Sequence, residues 1–271
     1  MTQDSSDGNA LFADVCRKAG VDYIKLVADT ARWVHPEIFG YLPVWYPEVA
    51  RADLIYNAKW SKVCKNARRD AEKREANQRA AAALKVALDA KKSENWTCCH
   101  IWGEHANFTR ENAVVKDARY YSCVANTVLV PTPLKALTDA LPDVKAVLRA
   151  AAFHLYGWVC EHADASEEAK TVRSGELPKG YPGNWVPNVP LTSMPGIGPF
   201  TDRVRRAADK RVVTLMSCYL DRTCVFFPRE RVKQVLTHWG IWDKIVERTA
   251  RLVQRELETL QAEIIEAEGR S

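Results

Sequence analysis

The sequence lacks any long apolar segment. No run approaches the roughly 20 apolar residues that a membrane-spanning helix needs, so we expect no membrane association. The first ten residues, MTQDSSDGNA, are polar and acidic, unlike the basic and then apolar start of a secretory signal. These two absences predict a cytoplasmic protein.

Cysteine pairs and several common catalytic motifs are also missing. The eight cysteines include no CxxC pair, so no zinc ribbon or zinc finger is indicated. No GxSxG pattern occurs, and GIGPF is too short to be a phosphate-binding loop. In a cytoplasmic protein we expect thiols or metal ligands rather than disulfides. The expected buried thiols are Cys16, Cys64, Cys218 and Cys224.

The chain has the composition of a folded globular protein. It contains 271 residues, of which 47% are hydrophobic and 27% are charged. Helical periodicity dominates, strand-like stretches lie near residues 97–102 and 120–131, and residues 160–200 have no regular period. The fold class predicted is mainly α, of α+β type. The segments predicted are 1–95 (helical), 96–158 (core), 159–200 (a Pro- and Gly-rich arm lying across a surface) and 201–271 (helical).

Positive charge is concentrated in one part of the chain. Residues 59–92 carry 11 Lys or Arg and four Asp or Glu, a surplus of seven that exceeds the net charge of +5. The segment from Pro47 to Lys92 has no internal Gly or Pro and predicts one long helix, or two in line. Such a helix suits a phosphate backbone, and a solvated helix with ion pairs fits equally well. The candidate nucleic-acid contacts are Lys62, Lys65, Arg68, Arg69, Arg203, Arg205 and Arg206.

The stretch WTCCHIWGEH places two cysteines and a histidine side by side on a predicted strand. Neighbouring side chains on a strand point to opposite faces, so Cys98 and His100 share one face and Cys99 points away. After a polar loop come YYSCVANTVLVP and the short helix TPLKALTD. A longer helix, DVKAVLRAAAFHLYGW, follows, with Asp143 as the predicted N-cap and Gly157 as the stop. The arrangement suggests either a metal site or a catalytic histidine.

CHIWG followed by CVANTVLVPTPLKALTD resembles the core of the ββα-metal, or HNH-type, nucleases. The resemblance covers about 45 residues and implies a small ββα-metal core inside a mainly helical protein. It implies that His100 is the general base, since neutral imidazole can take a proton from water at cellular pH. It also implies Asn126 as an oxygen ligand of Mg²⁺ or Mn²⁺, which stabilises charge on the phosphate and on the leaving oxygen.

The sequence departs from the family pattern in two places. The residue before the histidine is commonly an aspartate that binds the metal, and here it is Cys99, whose thiolate is a poor Mg²⁺ ligand. The helix commonly ends its motif with His or Asn, and here it offers Lys135, Thr138 and Asp139. Asp139 is the candidate second ligand. Arg119, before the second strand, is the candidate contact to the scissile phosphate.

Other interpretations of the same residues remain open. Cys98, Cys123, Cys160 and His162 could converge on a structural Zn²⁺, although their spacing is irregular. His100 and Asn126 could be structural residues of a strand and a turn. The protein would then be a non-catalytic nucleic-acid-binding protein with a degenerate or zinc-stapled core. A helical interaction protein with a solvated charged face is the third hypothesis.

The leading functional hypothesis is a metal-dependent DNA endonuclease, with restriction or phage defence as a role suggested by analogy alone. Cutting both strands of double-stranded DNA often requires two active sites, so a homodimer is expected. The last helix carries apolar residues in alternating steps of four and three, which is a candidate dimer seam and is equally explained by packing on the core. These residues are Val246, Ala250, Val253, Leu257, Leu260 and Ile264.

Overall fold

A computed structural model describes residues 7–54, 74–90, 94–103, 112–185 and 196–268. The protein is mainly helical, at 61%, with one small two-stranded antiparallel sheet in the described residues, which confirms the α+β class. The strands are β1 (Trp96–His100) and β2 (Thr127–Pro131). The helices are α1 (Gly8–Lys18), α2 (Tyr23–Thr30), α3 (Pro36–Tyr41), α4 (Gln78–Ala87), α5 (Ala113–Lys116), α6 (Ala118–Tyr121), α7 (Lys135–Ala140), α8 (Pro142–Tyr156), α9 (Ser166–Arg173), α10 (Asp202–Leu220), α11 (Arg229–His238) and α12 (Trp242–Glu268).

The sheet lies between two hydrophobic cores. In its register Cys98 is opposite Leu129 and His100 is opposite Thr127. Cys98 and Leu129 belong to one core, while Cys99 packs in the other, as the alternation of side chains on a strand requires. The prediction that Cys98 and Cys99 point to opposite faces is confirmed. Each core draws residues from three of the four predicted segments, so the segments share cores.

The predicted long helix from Pro47 to Lys92 is wrong in the part that the structure describes. Leu54 and Arg74 form an antiparallel bridge, and Ala52 N donates to Glu75 O at 2.7 Å. Ala52 has a φ of +69°, which ends any helix there. Helix α4 is the only stretch of α-helix described between residues 48 and 90. Lys62, Lys65, Arg68 and Arg69 lie outside the described residues, as does His105.

Helix α8 begins differently from the prediction and ends as predicted. Its N-cap is Leu141, with Pro142 at the first helical position, so Asp143 is not the cap. The Asp143 carboxylate instead accepts a hydrogen bond from Tyr23 Oη at 2.5 Å, which ties α8 to α2. Gly157 adopts φ +61° at the C-terminal end, where its amide donates to Phe153 O at 2.8 Å.

The Pro- and Gly-rich segment contains more regular structure than predicted. Helix α9 lies within it, and Ala169 and Val172 of that helix are buried. Trp185 is fully buried and meets the ring of Trp33 edge-on at 6.1 Å. The expectation of no helix in this segment is therefore wrong.

The three C-terminal helices α10, α11 and α12 form as predicted. Helix α12 packs on the body through Ile245, whereas Val246, Val253 and Leu257 are 40%, 43% and 50% exposed. The protein's own core therefore does not cover these three positions of the apolar stripe. No helix in the described part of the chain is long and apolar enough to cross a membrane.

Candidate functional site around His100

His100 is the last residue of β1, and its ring is fixed by one hydrogen bond. Nε2 lies 2.8 Å from the carbonyl oxygen of Tyr121, and the ring stacks on the Tyr121 ring with 5.8 Å between centroids. Because a carbonyl only accepts, Nε2 must carry the proton and Nδ1 the lone pair of the neutral ring. No described residue hydrogen-bonds Nδ1. The geometry leaves that lone pair available to a proton donor.

The surroundings of His100 keep its ring neutral. The pKa of His100 is lowered to about 4, chiefly by burial and in smaller part by the positive charges of Arg51 and Lys145. The hydrogen bond to Tyr121 and the negative charge of Asp139 act in the opposite direction. The residue is 8% exposed. At cellular pH the imidazole is therefore a proton acceptor, although a weak one.

Asn126 holds the chain that leaves β1. Its side chain is fully buried, and both ends of the amide are used. Oδ1 accepts from Trp102 N at 3.0 Å, and Nδ2 donates to Tyr120 O at 3.0 Å. Its own carbonyl accepts from Ile101 N at 3.1 Å. The structure therefore gives Asn126 a positioning role, because both ends of its amide hold the backbone at a site closed to solvent. Its role as a metal ligand stays a prediction.

Two buried cations on α8 also bind the backbone of residues 101–103, which follow β1. Arg149 Nε donates to Ile101 O at 2.9 Å, and Lys145 Nζ donates to Gly103 O at 3.2 Å. Arg149 also lies 3.5 Å from a carboxylate oxygen of Glu168 and over the ring of Trp102. Sequence reasoning missed both cations. The available signal was their i,i+4 spacing within an otherwise apolar helix face, where a cation needs a partner.

Gly103 ends the held segment at a φ of +86°. A Cβ at this position would lie 2.1 Å from Oδ1 of Asn112. Asn112 is itself buried, and its Nδ2 donates to Trp102 O at 3.0 Å. Only glycine fits here, both because of the left-handed backbone and because of the close approach of Asn112.

Asp139 and Lys135 of α7 provide charge close to His100. Lys135 Nζ is 2.6 Å from Asp139 Oδ2, one helical turn away. Thr138, between them in sequence, hydrogen-bonds the thiol of Cys99, which places α7 against β1. The charge of Arg51 acts on both Lys135 and His100. The negative charge of Asp139 also acts on His100, and its role as a metal ligand stays a prediction.

The side chains near His100 could bind Mg²⁺ only as an ion that keeps most of its water ligands. Among the described residues there is no group of three or more His, Cys, Asp and Glu that could hold a metal. Mg²⁺ keeps several waters and is often bound through one or two carboxylates together with substrate phosphate oxygens. The Asp139 carboxylate, 27% exposed, satisfies this minimum.

Arg119 lines a cavity whose lining does not include His100. Its Nε and Nη2 donate to Asp117 Oδ2 at 2.9 and 2.6 Å, and this hydrogen bonding raises the pKa of Arg119. Its carbonyl accepts from Trp239 Nε1 at 3.0 Å, which places α6 beside the end of α11. The charges that act most strongly on His100 belong to Arg51, Lys145 and Asp139 rather than Arg119.

The four residues of the alternative zinc site do not form a metal-binding group in the described part of the chain. Cys98 packs in one core and Cys160 in the other, on opposite sides of the sheet. Burial raises the pKa of Cys98 and Cys123, and raises that of Cys160 to about 12, so these thiols stay protonated. His162 Nδ1 accepts from Asp164 N at 3.1 Å. Buried cysteine thiols in the described part of the chain are Cys16, Cys98, Cys99, Cys123 and Cys160.

Cys218 is disulfide-bonded, which corrects the expectation of a thiol there.

Two arginines of α10 that are predicted to bind nucleic acid pair with carboxylates. Arg203 pairs with Asp89 and Arg205 pairs with Asp202, each at 2.6 Å. Arg203, Arg205 and Arg206 are all exposed. Their role in binding nucleic acid stays a prediction.

Comparison of the chain with protein families, with curated proteins and with solved structures finds no match.

Proposed function

We propose that this protein is a metal-dependent endonuclease that hydrolyses phosphodiester bonds of DNA, with His100 as the general base. One observation carries the proposal: the Nε2 hydrogen bond to Tyr121 O orients a neutral imidazole whose Nδ1 lone pair has no partner in the described residues. The order of two antiparallel strands followed by α7, packed against β1, supports the resemblance that CHIWG and CVANTVLVP indicate.

The reaction assigned to this site is attack of water on phosphorus. Nδ1 of His100 takes a proton from the water, the new P–O bond forms, and the bond to the 3′-oxygen breaks. Mg²⁺ or Mn²⁺ held by Asp139 would stabilise the charge on the phosphate and on the leaving oxygen. Arg51 and Lys135, whose charges act on this site, attract the scissile phosphate.

Cleavage of duplex DNA with Mg²⁺ or Mn²⁺ tests the proposal, with modified duplexes among the substrates. The His100→Ala variant is compared with wild type and with His154→Ala as a matched control. His154 is a partly buried histidine on α8 whose Nδ1 pairs with Tyr181 Oη at 2.6 Å. We expect a loss of at least about 100-fold for His100→Ala and little change for His154→Ala. Equal cleavage by folded His100→Ala overturns His100 as the base.

A second candidate function is non-catalytic binding of nucleic acid. Three observations favour it: the deep burial of His100, the full use of the Asn126 amide and the single carboxylate offered by Asp139. In that case wild type binds duplex DNA in a salt-dependent manner and cuts nothing with either metal. The same cleavage experiment, followed by a binding measurement, separates the two functions.

The proposed assembly is a homodimer on double-stranded DNA. Val246, Val253 and Leu257 of α12 leave an apolar stripe exposed, at steps of seven and four residues. A second copy of α12 would cover this stripe by coiled-coil packing. Restriction or phage defence is the biological role that such an enzyme would suit, by analogy with the resembled family. A cytoplasmic location goes with that role and is part of the proposal.

A further inference from the structure

A cavity of about 450 Å³ lies between α5 and α6 on one side and α11 on the other. Its lining includes the cations Lys116, Arg119 and Arg231 and the carboxylate of Asp117. Asp117 is the only acidic side chain in the lining that the described residues provide. The lining thus combines three cationic side chains with one carboxylate, in a space larger than a phosphate group.

The guanidinium of Arg119 is held so that one edge stays available. Its Nε and Nη2 donate to Asp117, and the group lies over the Tyr120 ring with its central carbon 5.0 Å from the centroid. No described residue hydrogen-bonds Nη1. A planar guanidinium fixed along one edge is preorganised to bind an oxyanion with the other.

Arg231 reaches the same cavity from α11. Its Nη1 donates to Glu48 O at 3.3 Å and to the carboxylate of Asp53, while Nε and Nη2 have no partner among the described residues. The side chain is 42% exposed. Two arginines from separate elements thus direct unused donors into one space, each anchored by an aspartate.

The cavity adjoins the His100 site through one loop. Residues 48–53 supply the acceptors of Arg231, and Arg51 in the same loop acts on the charge of His100. Arg51 N donates to Val115 O at 3.0 Å, directly before Lys116 of the cavity lining. The 48–53 loop therefore contacts the element that lines the cavity and carries a positive charge that acts on His100.

We propose that this cavity binds a backbone phosphate of the nucleic acid that flanks the scissile phosphate. The proposal rests on the proposed function for the identity of the ligand, since it takes the polyanion at His100 to be a nucleic acid. Arg119 and Arg231 supply the charge-assisted hydrogen bonds, and Lys116 adds long-range attraction. Arg119 thereby contacts a flanking phosphate rather than the scissile one.

The test is the affinity of a fluorescently labelled duplex in the His100→Ala protein, measured by anisotropy over a range of NaCl concentrations. Wild type in EDTA serves as a second non-cleaving form. We expect Arg119→Gln and Arg231→Gln each to weaken binding about three- to tenfold. Because both arginines contact one phosphate, the double variant should reduce the slope of log K against log salt by about 0.9, and each single variant by no more than that.

The matched control is Arg17→Gln. Arg17 is an exposed arginine on α1 that pairs with Asp14, as Arg119 pairs with Asp117, and it lies outside the cavity lining. We expect no change in affinity or in slope for this variant. Losses of the same size in all three variants would overturn the proposal, because they would report net charge alone.

A calorimetric titration with inorganic phosphate distinguishes a free anion from a backbone phosphate. Phosphate binding that is lost in Arg119→Gln, with duplex affinity unchanged, overturns the proposal in favour of a free-anion site. Absence of duplex binding in both non-cleaving forms overturns it as well. If wild type cuts nothing but its duplex binding depends on both arginines, the phosphate-binding role of the cavity is supported and the endonuclease function is refuted. If wild type cleaves DNA and neither arginine variant changes duplex binding, the phosphate-binding role of the cavity is refuted and the endonuclease function is not.

Discussion

At the scale of single residues, His100 and Asn126 share one hydrogen-bonded junction but differ in what they leave available. The His100 ring uses one nitrogen and keeps the other, whereas the Asn126 amide uses its oxygen and its nitrogen. The first arrangement suits proton transfer. The second fixes the chain that follows β1, so the two residues are best tested with different measurements.

Asn126→Ala is expected to lower the free energy of unfolding by about 1–3 kcal/mol, the cost of one unsatisfied buried group. The change leaves Trp102 N buried without a partner, whereas Tyr120 O still accepts from Cys123 N. Urea unfolding followed by far-UV circular dichroism measures the effect. Asn9→Ala, at an exposed position of α1, is the control and should change stability by about 0.5 kcal/mol or less. Equal stabilities of wild type and Asn126→Ala would contradict the positioning role.

The pH dependence of stability should report the buried state of His100. Its pKa is about 4 in the folded protein and about 6.5 when unfolded, so the unfolded chain binds the proton more readily between these values. Stability is therefore fully present above pH 6.5 and falls as the pH drops toward 4, by up to about 3 kcal/mol from this group. Urea unfolding at pH 7, 6, 5 and 4.5 measures the trend.

The non-titrating variant His100→Gln isolates this contribution. The difference between wild type and variant should shrink as the pH falls from 6.5 to 4 and stay constant above pH 7. A difference that does not change with pH would mean that the ring is not buried in its neutral form.

At the scale of elements, the turn after β1 depends on α8 and on the packing of Asn112. Gly103 and Gly157 both have positive φ, at +86° and +61°, but only Gly103 is crowded. The two glycines thus form a natural pair for separating backbone strain from steric conflict.

Gly103→Ala should destabilise the protein more than Gly157→Ala. A left-handed backbone costs about 1–2 kcal/mol for alanine, and a Cβ at Gly157 meets nothing within 4 Å. At Gly103 the buried Asn112 must also move, so we expect a loss of about 3 kcal/mol or more. Thermal and urea unfolding of both variants measure the difference, and cleavage assays should find Gly103→Ala the less active. Similar stability losses in the two variants would contradict the steric account.

At the scale of the whole molecule, the exposed stripe on α12 predicts self-association. Leu257→Asp should convert a dimer to a monomer, since a carboxylate in a coiled-coil seam loses its hydration. Sedimentation velocity at about 1–100 µM measures the state of wild type and variant. Arg251→Asp, on the same helix at 65% exposure, is the control and should leave the dimer in place. A wild type that is monomeric throughout this range refutes the stripe as a seam.

Several features could be read from the sequence because they depend on local physical chemistry. A strand near residues 97–102, a helix that ends at Gly157 and the helical C-terminal segment follow from side-chain periodicity and from stop signals. The opposite orientation of Cys98 and Cys99 follows from strand geometry alone. The mainly helical class with a small sheet was predictable for the same reason.

Other features depended on contacts between distant parts of the chain. Helix propensity between Pro47 and Lys92 gave way to the pairing of Leu54 with Arg74, two residues that are 20 apart in sequence. The dual use of the Asn126 amide and the cations of α8 on Ile101 and Gly103 likewise join residues far apart. No spacing rule within a single segment contains such partners.

The sequence by itself determined which residue types stand near the end of β1, and with them the chemistry that His100 can perform. Only the tertiary structure decided which nitrogen of that ring is occupied, that Asn126 positions the backbone, and that Arg119 faces a separate cavity with Arg231. The physical reason is that residue type sets the donors and acceptors, whereas burial and long-range packing set the partners that each of them meets.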